Sequence, residues 1–430
     1  MKKTKQSARF WLALVIFSLV GQVAWVVENM YLNVFIYKMF AATAGQISLM
    51  VGASSVAATV TTLLIGSLSD KLGKRKVFIC GGYLCWGVSI LCFGLIREQW
   101  LGKILPATVS AATVGISLVI VLDCLMTFFG SAANDACFNA WLTDSTDETN
   151  RGAAEGINAM MPLVAILAVF GGFMGLNQDL PESWTVIFFV IGGIVLVLGI
   201  LGFFLIREPQ VDTAQNQSYL ANIFYGFRPR VIRENPRLYL TLLAYAVFGI
   251  SINIFMPYLI LYYEKTLQMA DYVLAFAPAI ILAAAFTAFY GRIYDKKGFL
   301  FSVLPSLGLL MAGYLLLYFF RQRVPVFAGT VLMMCGYLSG MAVFGAMIRD
   351  HTPKNKAGMF QGQRIVCQVL IPGIVGPAIG AAVLKNARTI ADSDGRMVFL
   401  PNANIFLAAL VAAVLICVAL IPLTKHMKKR

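Results

Sequence analysis

Long stretches without a charged residue recur along the whole chain. A helix needs about 20 apolar residues to cross roughly 30 Å of hydrocarbon, whereas barrel strands are alternating segments of about ten residues. The pattern predicts an all-α polytopic membrane protein with twelve transmembrane helices. Twelve stretches of 18 residues or more lack Lys, Arg, Asp and Glu and are numbered here as helices 1 to 12: 10–27, 39–69, 77–96, 104–122, 156–178, 183–206, 238–263, 272–291, 298–320, 324–348, 365–384 and 397–424.

Composition supports this prediction and excludes other classes. Of the 430 residues, 59% are apolar and 13% are charged, against about 25% charged residues in soluble domains. The eight cysteines form no Cys-x-x-Cys pair and both histidines lie in polar segments, so no metal or cofactor is expected. The sequence also has no phosphate-binding loop, nucleophile elbow or His-Glu-x-x-His motif. We therefore expect neither an enzyme nor direct coupling to ATP.

The distribution of basic residues predicts the orientation in the membrane. If the N-terminus is cytoplasmic, 25 of the 34 lysines and arginines fall in cytoplasmic segments and nine fall on the other side. Such a bias orients multi-pass proteins. The sequence therefore predicts a multi-pass protein of the cytoplasmic membrane with both termini in the cytoplasm. The net charge of +14 then follows from topology, and no nucleic-acid partner is needed.

A polar stretch divides the chain into two halves of six helices. It runs from Arg207 to Arg237, directly after helix 6. This predicts an N-terminal six-helix bundle at 1–206, a cytoplasmic linker at 207–236 and a C-terminal six-helix bundle at 237–430. Internal repeats of this kind are typical of secondary transporters.

Two loop motifs occur at equivalent places in both halves. The loops after helices 4 and 10 share Asp-x-Thr-x5-Gly-x3-Gly, beginning at Asp144 and at Asp350. We expect the glycines of this motif, Gly152 and Gly156 in the first half, to allow close helix packing. The loops after helices 2 and 8 share Gly-x3-Asp-x2-Gly, which suggests a gating motif formed by Gly66, Asp70, Gly73, Lys74, Arg75, Gly291, Asp295 and Gly298.

The physical chemistry of the gating motif fits a hinge. Gly66 permits a close approach to a neighbouring helix, Asp70 is suited to a helix N-terminus, and Gly73 permits a tight turn. The alternative is that Lys71–Lys76 is only a topology signal, which leaves the Gly-Asp-Gly spacing unexplained.

With these motifs the sequence resembles the major facilitator superfamily of secondary transporters over essentially its whole length. The resemblance implies two pseudo-symmetric six-helix bundles, alternating access, a cavity lined by helices 1, 4, 7 and 10, and a latch formed by Asp70 and its basic neighbours. The helix 4 region, with Asp123 and Ala140-Trp-Leu-Thr-Asp144, is loosely similar to the glycoside–cation symporters and sucrose-type transporters. The melibiose-type branch of that group has acidic residues on helix 2, which here has none before Asp70.

Helix 4 carries a polar stripe that is expected to face the cavity. Asp123, Thr127, Ser131 and Asn134 follow one another at steps of four, four and three, with Asp135 beside the lower end. Charges inside a bilayer are expensive and usually functional, so Asp123 is a candidate for ion coupling, together with Glu28 of helix 1. The alternatives are an inert polar seam between packed helices for the stripe and a solvated interfacial carboxylate for Glu28.

Further polar and aromatic residues are candidates for binding the solute. Amides and hydroxyls suit the hydroxyl groups of a sugar, and aromatic rings can stack on its apolar face. Arg364 of helix 11 lies near the cytoplasmic end. It is either a group that could bind an anionic solute or a structural anchor. The full set of substrate-binding candidates is Gln22, Trp25, Asn29, Asn33, Thr127, Ser131, Asn134, Tyr245, Asn253, Tyr258, Tyr337 and Gln368.

These observations predict a secondary active transporter of a small neutral solute, a sugar or other polyol, coupled to protons or, alternatively, to sodium. One alternative is a drug or metabolite exporter of the same superfamily, and another is a transporter-like sensor that moves no solute. The lipid-facing surface needs no protein partner, so a monomer is expected.

Overall fold

The computed structural model describes residues 6–106, 108–147, 150–209, 225–352, 360–392 and 395–428. Within them, twelve helices are long and apolar enough to cross a membrane, which confirms the predicted number. Their bounds are, for α1 to α12 in order, Ala8–Phe40, Ala44–Leu72, Lys76–Phe93, Ala111–Asp144, Arg151–Phe173, Pro181–Leu205, Pro236–Thr266, Tyr272–Lys297, Phe299–Phe319, Arg323–His351, Gly362–Leu384 and Asn404–Thr424.

Local sequence signals set several of these helix ends. Ser7 caps α1 by accepting a hydrogen bond from the backbone N–H of Phe10 at 3.2 Å, and Ser110 caps α4 in the same way through Thr113. Pro181 and Pro236 open α6 and α7, where a proline needs no backbone donor. Most helices therefore begin close to the predicted positions.

Two helices extend well beyond their charge-free stretches. The first stretch ends at residue 27, but α1 continues past Glu28 to Phe40. The fourth ends at residue 122, but α4 continues to Asp144. Both extensions hold buried acidic groups, so the charge pattern alone places the helix ends too early. Both helices also contain a π-helical segment, at Val27–Tyr31 and at Ser131–Phe138.

Short elements connect the spanning helices. A helix at Glu98–Ile104 follows α3, and another at Pro229–Glu234 precedes α7. Between α11 and α12 the strands β1, Thr389–Ala391, and β2, Met397–Phe399, pair antiparallel with Ile390 opposite Val398. The sequence pattern did not predict this hairpin. Much of the predicted linker, residues 210–224, lies outside the described residues, as do Gly358 and the lysines at 2, 3 and 5.

The chain divides into two compact units, Met1–Ala42 with Val56–Tyr219, and Thr43–Ser55 with Leu220–Arg430. The first part of α2 thus belongs to the second unit. In the first unit, Phe35 packs against the rings of Trp184 and Phe188 at 5.3 and 5.0 Å. In the second unit, Phe255 packs against Tyr314 and Phe406, with both ring centroids 5.5 Å away.

Glycines allow close helix contacts at some positions and not at others. A Cβ atom added at Gly87 of α3 would lie 2.6 Å from the backbone nitrogen of Leu196 in α6, and one at Gly313 of α9 would lie 2.5 Å from that of Met333 in α10. A Cβ atom at Gly152 or Gly156 would meet no atom of the described residues within 4 Å. The close packing predicted at these two glycines is therefore not seen.

Candidate functional site

Two buried acidic side chains of the first unit lie close together. Glu28 of α1 is 6% exposed and Asp123 of α4 is 2% exposed. The Thr127 hydroxyl, one turn after Asp123, donates a hydrogen bond to Glu28 Oε1 at 2.8 Å. The two carboxyl groups interact electrostatically, and Asp123 Oδ1 has no hydrogen-bond partner among the described residues. Glu28, Asp123 and Thr127 are called the carboxyl pair site below.

The lower part of the α4 stripe lies in the π-helical segment Ser131–Phe138. The Ser131 hydroxyl donates to Asp135 Oδ2 at 3.0 Å. The Trp25 indole of α1 also interacts with Asp135, but its N–H lacks the geometry of a hydrogen bond. The structure thus brings Trp25, Ser131 and Asp135 together. π-Helical turns are frequent at functional sites.

Asn134 takes part in helix packing. Its side-chain amide donates to the Tyr83 hydroxyl at 2.8 Å, and Tyr83 donates in turn to the Phe17 carbonyl at 2.9 Å. A Cβ atom at Gly21 would collide with Asn134 and Tyr83. These two hydrogen bonds join α1, α3 and α4, and Asn134 is 3% exposed.

The other helix 1 candidates differ in exposure. Asn29 is exposed, and its amide donates to the Trp25 carbonyl at 2.8 Å. Asn33 is fully buried and donates to the Asn29 carbonyl at 2.8 Å, while its Oδ1 has no partner in the described chain. Gln22 is half-buried.

In the second unit, a polar and aromatic cluster joins α7, α10 and α11. Arg364 Nε donates to Gln368 Oε1 at 3.2 Å, and Tyr245 lies within electrostatic range of Tyr337 and Arg364. Phe248 packs against both tyrosines, with ring centroids 6.0 Å from Tyr245 and 6.4 Å from Tyr337. Gln368 lies in another π-helical segment, Val366–Leu370.

Asn253 and Tyr258 lie apart from that cluster. Asn253 donates to the Gly249 carbonyl at 2.9 Å and packs against Gly376 of α11. Tyr258 is completely buried, and its hydroxyl lies 3.0 Å from the Ala44 carbonyl and 3.3 Å from the Pro377 carbonyl. Tyr258 therefore ties α7 to α2 and α11.

The loop between α2 and α3 is organised around Arg75, which is 3% exposed. Its guanidinium contacts Asp70 Oδ1 at 2.5 Å and Asp144 Oδ2 at 3.0 Å, and donates to the Ser69 hydroxyl. Burial would lower the pKa of Arg75, but the two carboxylates raise it above its usual value. Glu208 accepts from the backbone N–H of Lys76 at 3.2 Å, where α3 begins.

The other residues of this loop are placed as follows. Gly73 has a φ of +62°, which only glycine adopts freely, and a Cβ atom at Gly66 would lie 3.7 Å from that of Ala136. Lys74 is exposed. Sequence spacing identified Asp70 and Arg75 but not their partners, because Asp144 and Glu208 are 69 and 133 residues away from Arg75.

The equivalent loop of the second half is built differently. Gly298 has a φ of +77° and again permits the turn. Asp295 is exposed and makes no ion pair within the described ranges. Asp350, the counterpart of Asp144, instead accepts a hydrogen bond from the Tyr294 hydroxyl at 2.5 Å. A Cβ atom at Gly291 would meet no described atom within 4 Å.

Several solved structures of similar fold are membrane transporters. A bacterial homologue of the human lysosomal transporter Spinster aligns with a TM-score of 0.71 and 13% identity over 98% of both chains. A point mutant of the nucleoside transporter NupG aligns at 0.72 and 11%, covering 96% of this chain and 99% of its own. The xylose transporter XylE from E. coli aligns at 0.67 and 12%, covering 96% and 98%.

Sequence comparison identifies the family. No curated protein matches the chain in sequence. The family model of the Major Facilitator Superfamily matches residues 10–377, which is most of the chain and includes the carboxyl pair site and the loops that follow α2 and α8. The chain is therefore a multi-pass membrane transporter that belongs to the Major Facilitator Superfamily.

Proposed function

We propose that this transporter moves a small neutral polyhydroxy solute, a sugar or similar polyol, together with protons. It would work by alternating access. Asp123 carries the proposal of proton coupling, because it is buried, lies beside Glu28 and makes no ion pair among the described residues. A buried carboxyl group without a cationic partner is stable as the neutral acid. Asp123 would thus take up a proton when water reaches it and hold that proton while it is buried away from water.

Uncharged polar groups support the proposed solute class. The exposed Asn29 amide and the half-buried Gln22 lie on α1, and Tyr245, Tyr337 and Gln368 lie in the cluster of the second unit. Amides and hydroxyls of this kind fix the orientation of a hydroxylated ring. A xylose transporter and a nucleoside transporter are among the proteins of similar fold.

Proton coupling is favoured over sodium coupling by the side chains of α2. Its inward polar residues are hydroxyl groups, among them Ser55, Thr59 and Thr61, and no carboxylate precedes Asp70. Sodium sites in proteins need several oxygen ligands, and a carboxylate usually supplies the charge. We further propose that both termini are cytoplasmic, that the bundles are 1–206 and 237–430, and that the protein acts as a monomer in the cytoplasmic membrane.

Uptake into proteoliposomes tests this function. Labelled xylose, glucose and sucrose would be offered separately, with an inward proton gradient, an inward sodium gradient or neither. Accumulation of one sugar driven by the proton gradient alone is the expected result. Sodium-driven accumulation would overturn proton coupling. Sugar-independent extrusion of a lipophilic cation would favour the exporter, and no flux of any probe would favour the sensor.

A further inference from the structure

A ladder of polar side chains runs along α4 from the carboxyl pair site to the end of the helix. Its members follow at steps of four residues, so each lies beside the next along the surface of the helix. Exposure rises along the ladder: Asp123, Thr127 and Ser131 are at most 2% exposed, Asp135 is partly buried, and Asn139 is exposed. The ladder thus runs from a buried acidic group, Asp123, to an exposed polar group, Asn139.

Hydrogen bonds link the lower part of this ladder. Ser131 donates to Asp135 Oδ2 at 3.0 Å, Asn139 Nδ2 donates to the Asp135 carbonyl at 3.1 Å, and Thr143 donates to the Asn139 carbonyl at 3.0 Å. The upper part ends at Thr127, whose hydroxyl donates to Glu28. Thr127 and Ser131 are four residues apart, about 6 Å along the axis, a gap that one bridging water molecule would span.

Asp135 is the only acidic group in this ladder between Asp123 and Asp144. Its neighbours from other helices are the Trp25 indole of α1 and the Tyr83 hydroxyl of α3, neither of which carries a charge near neutral pH. Within the described residues it makes no ion pair. A carboxylate that accepts from Ser131 and has no cationic partner is able to receive a proton.

We propose that Asp135 is a proton relay between the carboxyl pair site and the open end of α4. This proposal rests on the proposed proton coupling. The Asp123 carboxyl group gives up a proton and becomes a carboxylate, and the proton passes over the Thr127 hydroxyl, water and the Ser131 hydroxyl to the Asp135 carboxylate. Each hydroxyl group receives one proton and donates its own, so both end unchanged. Asp135 then passes the proton to water beside Asn139, and one proton has moved from Asp123 to the open end of the helix.

A pH jump followed by infrared spectroscopy tests the relay without a known solute. The signal is the carboxylic acid band of the reconstituted full-length protein, which decays as buried carboxyl groups lose their protons. Asp135→Asn keeps an acceptor for Ser131 but cannot take up a proton. We expect it to slow the decay on the order of 10²-fold, a typical contribution of a positioned proton carrier, and Asp135→Glu to restore the rate.

Two further variants separate the relay from the proposed function. Asp123→Asn identifies the band of the carboxyl pair site by removing part of its amplitude. Glu182→Gln removes an exposed carboxyl group of the same unit, 69% exposed, and should leave the decay rate unchanged. A wild-type decay rate in Asp135→Asn would overturn the relay even if wild-type sugar uptake is proton-driven. Wild-type sugar uptake that ignores the proton gradient would overturn the proposed function itself.

Discussion

Thr127 Oγ1 and Glu28 Oε1 lie 2.8 Å apart, although 99 residues separate them in the sequence. The bond joins α4 to α1, and both side chains are buried. Glu28 lies in the π-helical segment Val27–Tyr31 of α1. The two helices therefore meet at the group that we assign to coupling.

Thr127→Val should remove the hydrogen bond to Glu28 while leaving the volume of the side chain nearly unchanged. Loss of a buried donor to a carboxyl group costs about 1–3 kcal/mol, so we expect a lower thermal unfolding temperature in detergent. Thr113→Val is the matched control, since Thr113 lies on the same helix and is exposed. Equal unfolding temperatures for the two variants would contradict the role of the bond.

Asp123→Asn should separate solute movement from the proton gradient. The amide keeps the shape of the side chain but carries no exchangeable acidic proton. We expect counterflow of the transported sugar to persist and gradient-driven accumulation to be lost, both measured in the same proteoliposomes. Full accumulation in this variant would assign proton coupling to another group.

Arg75 variants should destabilise the loop between α2 and α3. Arg75→Ala leaves Asp70 and Asp144 without their shared partner, and both carboxylates are partly exposed. We therefore expect a loss of about 1–3 kcal/mol, smaller than for a fully buried pair. Arg75→Lys keeps the charge but lacks the planar guanidinium group that contacts both carboxylates at once. Its unfolding temperature should therefore lie between those of the wild type and Arg75→Ala. An Arg75→Ala protein as stable as the wild type would contradict this role.

Gly87→Ala should be far more costly than Gly193→Ala. The new methyl group at position 87 would meet the backbone of α6, which cannot move aside as a flexible side chain can. Overpacking of this kind costs about 1–3 kcal/mol. A methyl group at position 193 meets no described atom within 4 Å. Comparable unfolding temperatures for the two variants would show that α3 and α6 are not in close contact.

Two tyrosines of α7 should respond differently to loss of the hydroxyl group. Tyr258→Phe removes the bond that ties α7 to α2 and α11, and we expect a loss of about 1 kcal/mol with unchanged sugar affinity. Tyr245→Phe changes a half-buried side chain near Tyr337 and Arg364, and should weaken sugar binding more than stability. Binding by calorimetry and thermal unfolding would distinguish them.

The number of helices was predictable because a bilayer imposes one strong requirement, an apolar stretch of sufficient length. The tight turn at Gly73 was predicted from the loop motif, and Gly73 and its counterpart Gly298 both have positive φ values. The β1–β2 hairpin was not, because its strands are three residues long and carry too little pattern.

Only the part of the site that lies on helix 4 was predictable from the sequence. Steps of four along helix 4 placed Asp123, Thr127 and Ser131 on one face, and the structure shows all three buried. The periodicity of one helix does not reveal what lies opposite that face. The contact of Thr127 with Glu28, and the use of Asn134 and Tyr258 in helix packing, depend on other helices and appear only in three dimensions.

The π-helical turns that contain Glu28 and follow Thr127 have a mechanical consequence. An α-helix advances about 100° per residue, so rewinding Val27–Tyr31 into α-helical form would swing Glu28 away from Thr127 while the axis of α1 stays in place. A swing of this kind at Ser131–Phe138 would likewise turn Asp135 relative to Asp123. Rotation within a single turn is thus sufficient to make or break the contact of Glu28 with Thr127 and to reorient Asp135.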